Sequence, residues 1–166
     1  MFYRIRQFVQ AFFPLIHPNE LLWARQILPP RANSLFLKQS KAEQRHALTV
    51  AQSLLPYQTA LSSSEYQDLI TAALLHDCGK SLVKVRLWQR VFIVLMQQMP
   101  GSIWTFLQKG PSLIAAPLNM AEHHAHWGSS LAQTIGLNPR TCKLIYEHHT
   151  PTTKLGQLLY KTDNEH

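Results

Sequence analysis

Apolar residues recur along this chain at three- and four-residue spacings, and no stretch alternates apolar and polar as a half-buried strand would. The pattern predicts an all-α, single-domain helical bundle. A first helix is expected over residues 2–13. A second follows "HPNE" and runs to about Leu28, where Pro29 and Pro30 end it. "SKAE" (40–43) is a capping box, with Ser40 as cap and Glu43 reaching back. In the helix after it, His46, Val50 and Leu54 fall at i, i+4 and i+8 beside Ala47 and Ala51, which puts His46 on the inward stripe. "SEYQ" (64–67) reads as a second capping box. It opens a helix carrying Leu69, Ile70, Ala73, Leu74, His76 and Asp77, with Gly79 as its C-terminal glycine.

Residues 82–107 are unusually apolar and split at Pro100-Gly101, which predicts two short helices, packed in the core or against a partner. A helix from about Leu118 to Ile135 should end at Gly136. Its stripe is Met120, His124, Gly128, Leu131 and Ile135, so His126 points away from the apolar face, and Gly128 permits a close helix approach. "NP" (138–139) supplies a cap and a first-turn proline for a helix ending at His148 and His149. Pro151 breaks it, and a last helix carries "LLYKTD" to Asp163. The organisation expected is an N-terminal helical segment (1–39) packed on a main domain (40–166) that bears the apolar insert at about 82–107.

Composition narrows the setting. The chain has 166 residues, 46% of them hydrophobic, enough for one domain with an ordinary core. The net charge of +7 favours anionic partners (nucleotides, phosphate esters, nucleic acid or an anionic membrane face), or serves solubility alone. Cys78 and Cys142 form no C-x-x-C and no disulfide framework, which fits a reducing compartment. "MFYRIRQFVQAFFPLI" starts like a signal peptide, but Gln7, Gln10 and Pro14 interrupt it and no small-residue cleavage site follows. The strongest apolar run, "VFIVLM" (91–96), is too short for a membrane span. A cytoplasmic location is expected.

The candidate chemistry is in the histidines. Nine histidines stand against three aspartates, Asp68, Asp77 and Asp163. His123, His124 and His126 cluster on one predicted helix, His148 and His149 on another. Burying Asp77 beside His76 is costly unless something pairs with them. Imidazole and carboxylate groups converging from the inward faces of several helices are what a transition-metal site in a bundle requires. His17 and His166 read as ordinary surface or core histidines.

The ordered set His46, His76-Asp77, His124, His148-His149, Asp163 resembles the HD superfamily of metal-dependent phosphohydrolases over roughly residues 40–163. "LLHDCGK" matches the family's HD-x-G-K form, "HAHWG" a His-x-x-x-Gly element that selects His124, and "IYEHH" an Ile-x-x-His-His element. The Gly-Tyr-Pro element that follows the paired histidines in cyclic-di-GMP phosphodiesterases is missing. The C-terminal part is similar to HD-type diadenosine tetraphosphate hydrolases. The apolar insert departs from the short linkers of both.

The resemblance implies that His46, His76, Asp77 and Asp163 hold one metal and that Asp77 bridges to a second held by His124 and His148. Two divalent ions are implied, with iron, manganese, nickel and magnesium all open. His149, Lys80 and His123 are candidates for contacting the substrate or supporting the ligands. Asp77 and Lys80 are the residues expected to carry catalysis, a phosphate ester or nucleotide being cut by a metal-bound hydroxide. The bland role for Lys80 is to complement a helix C-terminus. The implied partner is a small anionic phosphate-containing substrate, with no nucleic acid expected. The same ligands suit a di-iron oxygenase of the superfamily, or a non-catalytic binding or signalling module. The apolar insert and basic N-terminus suit a membrane surface or a homodimer face, with core packing the simpler reading.

Overall fold

The computed structural model describes residues 15–166, and no strand occurs among them; the helix expected over 2–13 lies outside that range. Helices α1 (Pro18–Ile27) and α2 (Pro30–Lys38) are followed by α3 (Lys41–Ser53), α4 (Ser63–Leu75), α5 (Leu87–Met96), α6 (Gly101–Gln108), α7 (Ser112–Thr134), α8 (Pro139–Tyr146) and α9 (Lys154–Asn164). Short 3-10 turns occupy Leu55–Tyr57 and Cys78–Leu82. The main core draws on every helix from α1 to α4 and on α7 to α9, including Phe36, Leu48, Leu54, Leu69, Leu74, Ile145 and Leu159. α1 and α2 contribute Ala24, Leu28, Ala32 and Leu35 to it.

Several boundaries differ from the sequence reading, each for a physical reason. Pro30 ends nothing: it is the first residue of α2, a position where its missing N–H costs no bond. The cap of α4 is Ser62, not Ser64, with Glu65 closing the capping box. α4 stops at Leu75, so His76 is its C-cap and Asp77 already lies outside, in the bridge region at φ −97° and ψ 4°. α8 likewise ends at Tyr146, and His148 and His149 stand in the turn beyond it. Gly136 does have the left-handed conformation (φ +82°), with Leu137 N–H donating to the Ala132 carbonyl and Gly136 N–H to Gln133, the paired bonds of a Schellman motif.

Gly79 does not take a left-handed φ. Its role is contact. A Cβ there would lie 2.0 Å from the His124 carbonyl oxygen and 2.7 Å from the Gly128 nitrogen. At Gly128 a Cβ would meet the Gly79 nitrogen at 3.2 Å and Cys78 Sγ at 3.3 Å. Two glycines therefore let the turn after α4 and helix α7 touch backbone to backbone.

α7 begins six residues earlier than its apolar stripe suggested, because it runs through Pro117. A proline inside a helix leaves the carbonyl four residues back without its bond. Here that carbonyl, on Leu113, accepts from the Gln89 side-chain amide at 2.7 Å. Gln89 is buried on α5, and its Oε1 also accepts from the Arg86 N–H.

The insert thus forms the two predicted short helices but does not enter the main core. α5, α6 and the start of α7 enclose a small separate core around Ile93, Leu118 and Met120, with Phe92, Met96, Trp104 and Ile114 against it. Much of the remaining apolar side-chain surface of the insert faces outward. No helix among the described residues is long and apolar enough to cross a membrane.

Candidate metal centre

Five segments deliver the histidines and carboxylates to one place. α3 carries His46, the end of α4 carries His76 and Asp77, α7 carries His124, the turn after α8 carries His148 and His149, and α9 carries Asp163. Asp77 sits in the middle, buried, with different neighbours on its two oxygens. Oδ1 is 3.3 Å from His124 Nε2 and 3.8 Å from His148 Nε2. Oδ2 is 3.6 Å from His76 Nε2 and 2.6 Å from Lys80 Nζ. Asp163 Oδ1 completes the other end, 2.7 Å from His46 Nε2 and 3.4 Å from His76 Nε2. His149 Nε2 lies 3.0 Å from His124 Nε2.

The imidazoles are oriented from behind by backbone carbonyls. His76 Nδ1 bonds the Ala73 carbonyl at 2.8 Å, His148 Nδ1 bonds Ile145 at 2.7 Å, and His124 Nδ1 faces the carbonyls of Met120 and Ala121. A carbonyl can only accept, so Nδ1 must carry a proton in each ring. In the neutral ring this leaves Nε2 as a lone pair aimed at Asp77. Ala73 and Ile145 lie at helix ends, where carbonyls lack partners within the helix. The neighbouring Leu74 carbonyl is met by Gln39 Nε2 at 3.0 Å.

Two atoms test whether an ion suits this place. His76 Nε2 and His148 Nε2 are buried and have no hydrogen-bond partner. Both rings are well packed, and the nearest Asp77 oxygens stand too far away to bond them. Separations of 3.3–3.8 Å are about what two ligands keep on one ion with bonds near ~2.1 Å. The donor atoms fall into two groups, His46, His76 and Asp77 in one and His124, His148 and His149 in the other, each with its atoms mutually within 4.8 Å. The residues present fit a divalent ion in each group.

Electrostatics agree with that fit. Burial would raise the Asp77 carboxyl, but Lys80 and His76 outweigh it and hold the group well below the usual carboxylate range. Asp163 is likewise lowered against the effect of burial, by its bond to His46 and by the neighbouring His76. Burial pushes His148 down to about 3, assisted by the charge on His76, so its lone pair is free at neutral pH. His149 is lowered by burial and by His124. His76 is the exception: burial opposes its charge, but Asp77 and Asp163 lift it to about 9. That proton stands where a cation would otherwise balance two carboxylates. The Cys78 thiol, pushed up to about 12 by burial and Asp77, stays neutral and is no thiolate ligand.

Other candidates fall differently. Lys80 reaches Asp77 directly rather than standing apart from it. His123 is exposed with its ring 6.0 Å from Trp127, and is not brought into either group. His126 is exposed beside Tyr146, 6.2 Å ring to ring, on the face opposite His124. Asp68, the third aspartate, accepts bonds from Asn138, Arg140 and Thr141 and ties α4 to α8. Glu147 was missed by sequence reasoning. Its buried carboxylate accepts from the Thr152 N–H and from the hydroxyls of Thr152 and Thr153, fixing the turn between His149 and α9. The acid one residue before the paired histidines was the available signal. A surface pocket of about 220 Å³ lies beside Glu65, Arg140 and Lys154 and contains none of these histidines.

The HD domain family model matches residues 44–166, a span that includes every residue from His46 to Asp163 described above. No curated protein and no solved structure matches the chain. HD domains bind divalent metals and are often metal-dependent phosphohydrolases. With the match covering most of its length, the chain belongs to the HD domain family.

Proposed function

We propose that this chain is a metal-dependent phosphohydrolase acting on a small phosphate ester or nucleotide. The observation that carries the reading is Asp77, whose two oxygens face different ligand groups. In this reading His46, His76, Asp77 and Asp163 hold one ion, and Asp77, His124 and His148 hold the other. His149 is within reach of the second ion. A donor set this rich in imidazole favours iron or nickel over magnesium. When bound, the ions lower the pKa of a water and oppose the charge on phosphate oxygens.

The chain's own residues do the rest. The carbonyl bonds to Nδ1 keep three rings from turning, so the ligand atoms do not reorganise during turnover. Lys80 stands at the partly exposed edge of the site with an ammonium that has three donors. One rests on Asp77, and the others are available to a phosphate oxygen or a leaving group. His149 is exposed at the same site and offers Nε2 there.

The test is protein loaded separately with each candidate metal and offered phosphomonoesters, phosphodiesters and nucleotides. Hydrolysis of at least one class, abolished by chelator and restored by metal, is the expected result. Loaded protein that ignores every phosphate ester, holds two irons and consumes oxygen with an organic substrate is instead an oxygenase of the same superfamily.

A further inference from the structure

The outer face of the insert is unlike an ordinary surface helix. On α5 only Gln89 and Ile93 are buried, whereas Leu87, Trp88, Val91, Val94 and Leu95 are exposed, Val94 at 60% and Leu95 at 58%. These five fall at i, i+3, i+4 and i+7 spacings and make a continuous apolar stripe on the side away from the small core. Met99 between α5 and α6, Phe106 on α6 (75% exposed) and Leu113 at the start of α7 are exposed as well. α6 has no buried residue at all.

Charge says what this face fits. From Cys78 to Ala121 the chain has no Asp or Glu, but it has Lys80, Lys84, Arg86, Arg90 and Lys109. Two acids from elsewhere approach the lobe. Glu43 pairs with Arg90 at 3.0 Å, and Glu122 accepts from Trp104 and Gln108. Lys84, Arg86 and Lys109 stay exposed. A second copy seated on this face would set one basic rim against another. An apolar stripe with exposed aromatic residues and a cationic rim matches the interior and the headgroups of an anionic bilayer leaflet.

We propose that the α5–α6 lobe docks the protein on an anionic lipid surface. Its apolar stripe enters the acyl boundary while Lys84, Arg86 and Lys109 meet the headgroups. Lys80, at the candidate centre, lies two residues from exposed Leu82 in the 3-10 turn that leads into this lobe.

The experiment is flotation of the full chain with phosphatidylcholine vesicles, with and without about one third phosphatidylserine. The protein should float with the anionic vesicles only, and less at high salt. Val94→Ser/Leu95→Ser and Lys84→Gln/Arg86→Gln should each weaken binding about tenfold or more, with thermal unfolding no worse than wild type. Absence of the wild type from anionic vesicles overturns the proposal, as does binding that neither double variant changes. A dimer in sedimentation that Val94→Ser/Leu95→Ser dissolves, without vesicle binding, overturns it too and assigns the face to a second copy.

Discussion

Asp77 faces imidazole nitrogens on both oxygens and Lys80 on one of them, and this makes single substitutions informative. Asp77→Ala removes the only carboxylate that faces both histidine groups, so it should lose metal and hydrolysis together while circular dichroism stays helical. Lys80→Ala removes a cation from Asp77 and no ligand. It should keep its metal by elemental analysis and lose turnover by about 1.5–3 kcal/mol, the worth of a charge-assisted contact. The proton on His76 sets the pH dependence. An ion must displace it, so apparent metal affinity should rise as pH climbs toward 9 and fall at lower pH, with proton release measurable by calorimetry in buffers of different ionisation heat. The raised His76 also stabilises the metal-free protein below its unfolded pKa, and that contribution is lost as pH rises through 9. Most of these residues were legible in the sequence because each falls on an apolar stripe or ends one. The carbonyl bonds behind the rings were not, because they depend on where α4 and α8 stop.

At the scale of elements, contacts between helices decide which changes are tolerated. Gly79→Ala would drive a Cβ into the His124 carbonyl, which must move α7 away from Asp77. A loss of about 3 kcal/mol in urea unfolding is expected, with weakened metal binding beside it. Sequence reasoning gave Gly79 a conformational role because a glycine after a helical stripe usually has one. The close approach that requires it comes from a helix some fifty residues later in the chain. The same limit hid the true start of α7. Pro117 lies inside α7 because Gln89, on another helix, supplies the donor that the Leu113 carbonyl would otherwise lack. Gln89→Leu should therefore cost about 1–2 kcal/mol, read as a lower denaturation midpoint, because the Leu113 carbonyl and the Arg86 N–H both lose their partner.

For the whole molecule, the all-helical architecture followed from periodicity alone, because every ligand-bearing segment has the helical spacing of apolar residues. The insert was harder. Its composition suggests burial, yet the rest of the chain already fills one core without it, and its outer stripe remains on the surface. The candidate centre joins α3, α4, α7, the turn after α8 and α9, so an ion held there cross-links the fold. Metal present at about a hundredfold over its dissociation constant adds about 2.7 kcal/mol. That corresponds to a rise of roughly 5–10 °C in melting temperature for a chain of this size. The most direct measurement is elemental analysis of protein purified without chelator, wild type beside Asp77→Ala. The wild type should carry close to two divalent ions per chain, one for each ligand group, and the variant should lose both. A wild type that binds no metal under any loading condition, or an Asp77→Ala protein that keeps the full complement, would contradict this.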